Sequence, residues 1–250
     1  METTDQKMDT TTQEDSWAKP IDRLKVSDAP AGANNLNVDG RHLTSPLNGF
    51  GQLWQKTYQV RLENLSTSPP EVVSVWKSKL PQYMPDNSRF YPSLSGVKPG
   101  EILLINATLP GLPGGMPVST GVMILYADDV SFSVMTPEGH PEAGFNTFSA
   151  YTDEGVTIAQ IQSLARANDP IFEFGFRFLG GAKQQERIWQ HVLTQLATDF
   201  GVQAPQISTK AVCVDSKLQW SQAGNIWHNS VVRTTLSRPG YVRKNIFKRS

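Results

Sequence analysis

The sequence predicts an α+β fold in which a curved antiparallel sheet wraps around one long helix near the C-terminal end, with a hollow between them. Three observations carry this expectation. Strand-like segments fill residues 101–167, an amphipathic helix closes over 182–200, and a single strand and a capped helix, at 53–62 and 72–80, come before them. A meander of strands needs an apolar layer across its inner face, and the last long helix has a stripe wide enough to supply it.

Taken in order, residues 1–45 are rich in Thr, Asp, Gln, Asn, Gly and Pro and show no period, which predicts a disordered or extended N-terminal extension. Residues 53–62 alternate strictly. Trp54, Lys56, Tyr58, Val60 and Leu62 share one face, as in a half-buried strand. Ser68-Pro69-Pro70-Glu71 reads as a helix start, with Ser68 as cap, Pro69 at the first helical position and Glu71 as its capping-box partner. Val72, Val73, Val75, Trp76 and Leu80 give that helix its stripe, and Pro81 ends it. Residues 90–94, set among Pro and Gly, read as an irregular linker.

Residues 101–109 are almost continuously apolar, as expected of a strand covered on both sides. Residues 110–117 read as a turn-rich loop. Strands at 120–127 and 130–136 are joined by Asp128-Asp129, and strands at 145–152 and 156–167 by Asp153-Glu154-Gly155. Asp169-Pro170 opens a short helix that Gly180-Gly181 breaks. On the closing helix Ile188, Trp189, Val192, Leu193, Leu196 and Phe200 project within about 140° of one another. Trp220, Ala223, Trp227, Val231 and Thr234 share a helical face, predicting a further helix over 217–236. The expected division is an extension at 1–45, the sheet-and-helix domain at 46–202, and a C-terminal extension at 203–250 with an amphipathic helix and a basic tail.

That order of elements resembles the START-like (SRPBCC) helix-grip superfamily, which includes lipid-transfer domains, the birch-pollen allergen family and polyketide cyclases. Met135-Thr-Pro-Glu-Gly-His140, Gly144-Phe-Asn-Thr-Phe-Ser-Ala-Tyr151 and Arg166-Ala-Asn-Asp-Pro170 resemble segments of uncharacterised bacterial proteins within it. The resemblance spans roughly 50–202. It implies a cavity for an apolar or amphipathic small molecule, and it fixes no reaction. The N-terminal extension and the chain after Val202 are additions to the minimal domain, and either could cover the cavity mouth.

The polar cluster best suited to chemistry is Glu138, His140 and Glu142 in the 136–144 connection. A histidine beside carboxylates can serve as a general acid or base, which makes a cyclase- or hydrolase-like enzyme using His140 and Glu138 the alternative function. The same composition also describes a solvated hairpin loop. Metal binding would need a second histidine, and His42, His191 and His228 have no spacing that supplies one. For a bound ligand the candidates are Trp54, Tyr58, Asn106, Ile158, Gln160, Gln162, Arg166 and Trp189, with Asn146 beside them. An inward Arg166 would need an anion. Residues 110–117 lack the Lys-Ser/Thr ending of a phosphate loop and lead into a strand, so that reading is rejected. Cys213 reads as a buried thiol.

The charge balance of 23 basic and 23 acidic residues argues against a nucleic-acid binder. After Asp215 there is no acidic residue, while Arg233, Arg238, Arg243, Lys244, Lys248 and Arg249 accumulate. Such an end could meet an anionic membrane surface, which supplies a third reading as an interaction protein. One cysteine excludes an internal disulfide, no stretch is long enough to span a bilayer, and residues 1–15 lack a signal-peptide pattern, so a cytoplasmic protein is expected. No pattern calls for a cofactor.

Overall fold

The computed structural model describes residues 16–27, 29–63, 66–93, 95–110 and 115–237. The strands are β1 (Leu53–Leu62), β2 (Ser88–Tyr91), β3 (Ile102–Leu109), β4 (Met116–Ala127), β5 (Ser131–Met135), β6 (Glu142–Asp153), β7 (Val156–Ala167) and β8 (Ile207–Asp215). The helices are α1 (Pro69–Lys79), α2 (Pro170–Phe178), α3 (Gly181–Asp199) and α4 (Ser230–Leu236). All eight strands form one antiparallel, curved, open sheet in the order β2-β3-β4-β5-β6-β7-β1-β8. The meander β2–β7 returns to the first strand, with Tyr58 opposite Ile161.

Period-two alternation decides which side chains meet α1 and α3 on the inner face. Tyr58, Val60 and Leu62 of β1, Leu103 and Ile105 of β3, Val122 and Ile124 of β4, and Ala159 and Ile161 of β7 pack there. Helix α3 brings Trp189, Val192, Leu193, Leu196 and Ala197 to them, the stripe the sequence predicts. At about 1.5–3 kcal/mol for each large side chain, that stripe suffices to hold the helix on the sheet. One half of the space between the layers is solid. Trp76 of α1 stands edge-on to Phe132 and Phe148, which stack on each other at 4.7 Å, and Trp189 meets Phe148 at 5.6 Å.

The outer face is covered too. Residues 16–27 and 29–44 begin with Trp17 bridging Tyr126, pack Leu24 and Val38 against Leu104 and Met123 of β3 and β4, and end with Leu43 bridging Pro137. This cover explains the nearly continuous apolar sequence of β3 and β4. Gly121 lies beneath Val38, where a Cβ would stand 2.6 Å from the Leu103 carbonyl oxygen.

Several elements differ from expectation. Residues 88–91 pair with β3 as the edge strand β2 rather than forming a linker, because Phe90 and Tyr91 find partners in Ile105 and Leu104. The sheet continues past residue 202: β8 pairs along β1 and carries Cys213, which is exposed, not buried. In place of one helix over 217–236, a 3-10 segment at Trp220–His228 is followed by α4, with Asn229 capping through its side-chain oxygen to Val232 N–H at 3.0 Å. Trp220 and Trp227 are 73% and 81% exposed, so of the predicted face only Val231 and Thr234 are buried, although Trp220 still meets Phe50 edge-on at 5.2 Å. Ser68 opens α1 without a side-chain cap bond.

Helix α4 closes a gap. β5 is five residues long, so the first half of β4 has no neighbour on that side. There Thr234 Oγ1 accepts from Ser119 N–H at 3.1 Å, and Asn37 Nδ2 donates to the Ser119 carbonyl oxygen at 2.7 Å and to Thr234 Oγ1 at 3.1 Å. Thr234→Val keeps the shape and leaves buried donors unpaired. It is expected to cost about 1–3 kcal/mol, read as a drop of a few degrees in Tm.

Candidate functional site

At the other end of the inner face the layers do not fill the space. β3 and β4 present small side chains there, Ala107, Val118 and Thr120, where the rest of the sheet presents rings and long aliphatics. Helix α2 roofs this region. Asp169 caps it by accepting from the Ile171 and Phe172 N–H groups at 2.8 and 3.1 Å, and Pro170 occupies the first turn, as the sequence predicts. Beneath it lies an almost wholly apolar cavity of about 200 Å³, bounded by the sheet, by α2 and by Gln184, Gln185, Ile188 and Trp189 of α3. Ile171, Phe174 and Leu179 are also exposed, so the mouth opens beside α2.

A second chamber of about 60 Å³ lies deeper, towards the aromatic cluster, and shares Phe90, Ile105, His140, Glu142 and Trp189 with the first. Polar groups gather at this seam. The Glu142 N–H lies 3.0 Å from His140 Nδ1. The Glu142 carbonyl oxygen lies at the same 3.0 Å, so Nδ1 meets both backbone groups of Glu142, accepting from the amide in one tautomer and donating to the carbonyl in the other. Burial pushes the His140 pKa down to about 4, leaving a neutral imidazole. Burial also pushes the Glu142 carboxyl up, against the Lys56 charge and the Gln185 amide that pull it down. Gln185 links the two: its Nε2 donates to Glu142 and its Oε1 accepts from Lys56 Nζ at 2.7 Å. Asn146 lines the inner chamber, and its Oδ1 and the Trp189 Nε1 are buried without a partner among the described residues.

The unfolded imidazole takes its proton near pH 6.5 and the folded one near pH 4. Between them the unfolded state binds more protons, so this contribution to stability is complete above pH 6.5 and is lost as pH falls towards 4. His140→Asn is expected to flatten that loss relative to wild type in denaturant titrations at pH 4.5 and 7. The raised Glu142 carboxyl acts in the opposite sense in both proteins, so the difference between them isolates His140.

Most of the sequence candidates stand elsewhere. Trp189 lines both chambers. Tyr58 faces inward but is fully buried in the packed half, its hydroxyl unpartnered among the described residues. Trp54 shares the Tyr58 face at the far end of β1, lining a separate polar cleft with Lys56 and Glu186. Ile158, Gln160, Gln162 and Arg166 have the opposite parity to Ala159 and Ile161, which turns them to the outer face. Gln160 accepts from Gln59 there, and Arg166 finds its anion within the chain, donating to Asp215 at 3.1 Å. Asn106 is also outward, donating to the Gly32 carbonyl oxygen at 3.0 Å. The expected His140–Glu138 pair is not assembled. Glu138 exchanges backbone and side-chain hydrogen bonds with His42 outside the cavity, and the carboxylate beside His140 is Glu142. Sequence reasoning did not reach Ala107, Thr120 or the α2 phenylalanines, although Phe172, Phe174, Phe176 and Phe178 on so short a helix exceed what one buried face can use.

Among the described residues no group of three His, Cys, Asp or Glu side chains is placed to hold a metal ion, and no helix is long and apolar enough to cross a membrane. The basic residues from Arg238 onward lie outside the described residues.

A curved antiparallel sheet clasping its last long helix is the helix-grip arrangement. No protein-family model matches the chain, and no curated protein does. Among solved structures it is similar to a START superfamily protein from Mycobacterium smegmatis, at 15% identity and TM-score 0.41 over 60% of this chain and 98% of that one. It is also similar to ginseng major latex-like protein 151 from Panax ginseng, at 11% identity and TM-score 0.39 over 60% and 99%. A third is the di-domain ARO/CYC StfQ from the steffimycin biosynthetic pathway, at 9% identity and TM-score 0.43 over 60% and 50%.

Proposed function

We propose that this protein binds one apolar or amphipathic small molecule in the cavity between its sheet and the first turns of α3, admitted beside α2. The observation that carries the reading is an apolar cavity of about 200 Å³ with a mouth, in a protein whose other inner half is close-packed. Interiors rarely leave such space, because every unfilled contact forfeits dispersion energy. A dry cavity of about 150 Å³ already accepts benzene, so this one has room for a fused pair of rings or a short chain. The small side chains Ala107, Val118 and Thr120 stand where larger ones would close it.

Native mass spectrometry of the freshly purified full chain, with calorimetric titration of 2-methylnaphthalene, tests this. A co-purified mass or a one-to-one complex with the hydrocarbon is the expected result. No retained mass, together with no binding of the hydrocarbon, would overturn the reading.

A further inference from the structure

The inner chamber adds a chemical requirement that an apolar cavity alone does not have. Asn146 and Trp189 are 8% and 7% exposed, and each carries a buried polar atom with no partner among the described residues: the acceptor Oδ1 and the donor Nε1. Both side chains line the chamber of about 60 Å³ at the closed end of the cavity. His140, held through Nδ1 by the Glu142 backbone, lines the seam between the chambers. Buried polar groups are almost always paired, and an unpaired one costs free energy, so an acceptor and a donor left open around one apolar pocket define a missing partner.

We propose that the ligand carries a neutral hydroxyl, an alcohol or a phenol, on an apolar skeleton, and that it binds hydroxyl-first, with this group in the inner chamber and the skeleton in the outer one. This rests on the cavity-binding reading above and specifies its ligand class and orientation. A hydroxyl is the small group that both donates, here to Asn146 Oδ1, and accepts, here from Trp189 Nε1. A ketone or ether would leave Asn146 unpaired. A carboxylate would lie beside the Glu142 carboxyl in a chamber that no lysine or arginine lines. The chamber has room for the head group and little more, which sets the direction of entry.

The test is a calorimetric comparison of 2-naphthol, its isostere 2-methylnaphthalene, and 2-naphthoate with the full-length protein. Naphthol is expected to bind about tenfold tighter than methylnaphthalene, the worth of one or two good hydrogen bonds, and naphthoate more weakly than either. Asn146→Leu, close to isosteric, and Trp189→Phe should each shrink the ratio of naphthol to methylnaphthalene affinity measured within the same variant, a readout that a folding defect, which weakens both ligands alike, cannot imitate. Equal affinities for naphthol and methylnaphthalene in the wild type, or tighter binding of naphthoate, would overturn the hydroxyl assignment and leave the cavity reading standing. Absence of binding by all three overturns both.

Discussion

Trp76→Ala is expected to lower stability by about 3–5 kcal/mol. The indole is fully buried on α1 and stands edge-on to both Phe132 and Phe148, so its loss opens a hole where helix, β5 and β6 meet. The stacked phenylalanines cannot collapse into that hole without giving up their own contact with each other and with Trp189. Trp76 Nε1 has no hydrogen-bond partner among the described residues. Trp76→Phe therefore sacrifices area and no polar contact, and it should cost clearly less than the alanine variant. Urea unfolding at constant slope measures both, and an alanine variant within about 1 kcal/mol of wild type would contradict the packing described.

Ala107→Trp is the complementary experiment. Ala107 faces the outer chamber from β3, and an indole there would occupy most of the space now open. Binding of 2-methylnaphthalene is expected to fall by about a hundredfold or more, since the skeleton loses the apolar surface that roughly 3 kcal/mol of its affinity depends on. Stability should hold or rise, because the new ring fills a void rather than displacing packed atoms. The pairing of lost affinity with kept Tm separates a filled pocket from a damaged fold.

The path of the chain was legible because its signals are local and strong. The alternation in Leu53–Leu62, the Asp169-Pro170 cap and the wide stripe of α3 each name an element without reference to the rest. The C-terminal region was harder for a physical reason. β8 is exposed over nearly its whole length, so no alternation marks it, and the two tryptophans that suggested a helical face are turned to solvent. The site was read least well, since parity within a strand is visible in sequence but the identity of the inner face is not. Gln160, Gln162 and Arg166 share a strand face with the apolar Val156, Ile158 and Leu164, and in sequence that company reads as a cavity wall, whereas Ile158 is buried on the outer side. Glu142 rather than Glu138 flanks His140 because β6 begins at Glu142 and turns that side chain inward, while Glu138 still belongs to the turn.

The bond between Asn37 and Thr234 spans 197 residues. On a ribosome, the flank of β4 at Ser119 therefore waits until almost the whole described chain has been synthesised, with its amide, the partner of Thr234, open to any passing strand. A nascent chain of this protein is most vulnerable to misassociation in that interval, and a chaperone acting on it would find its substrate there.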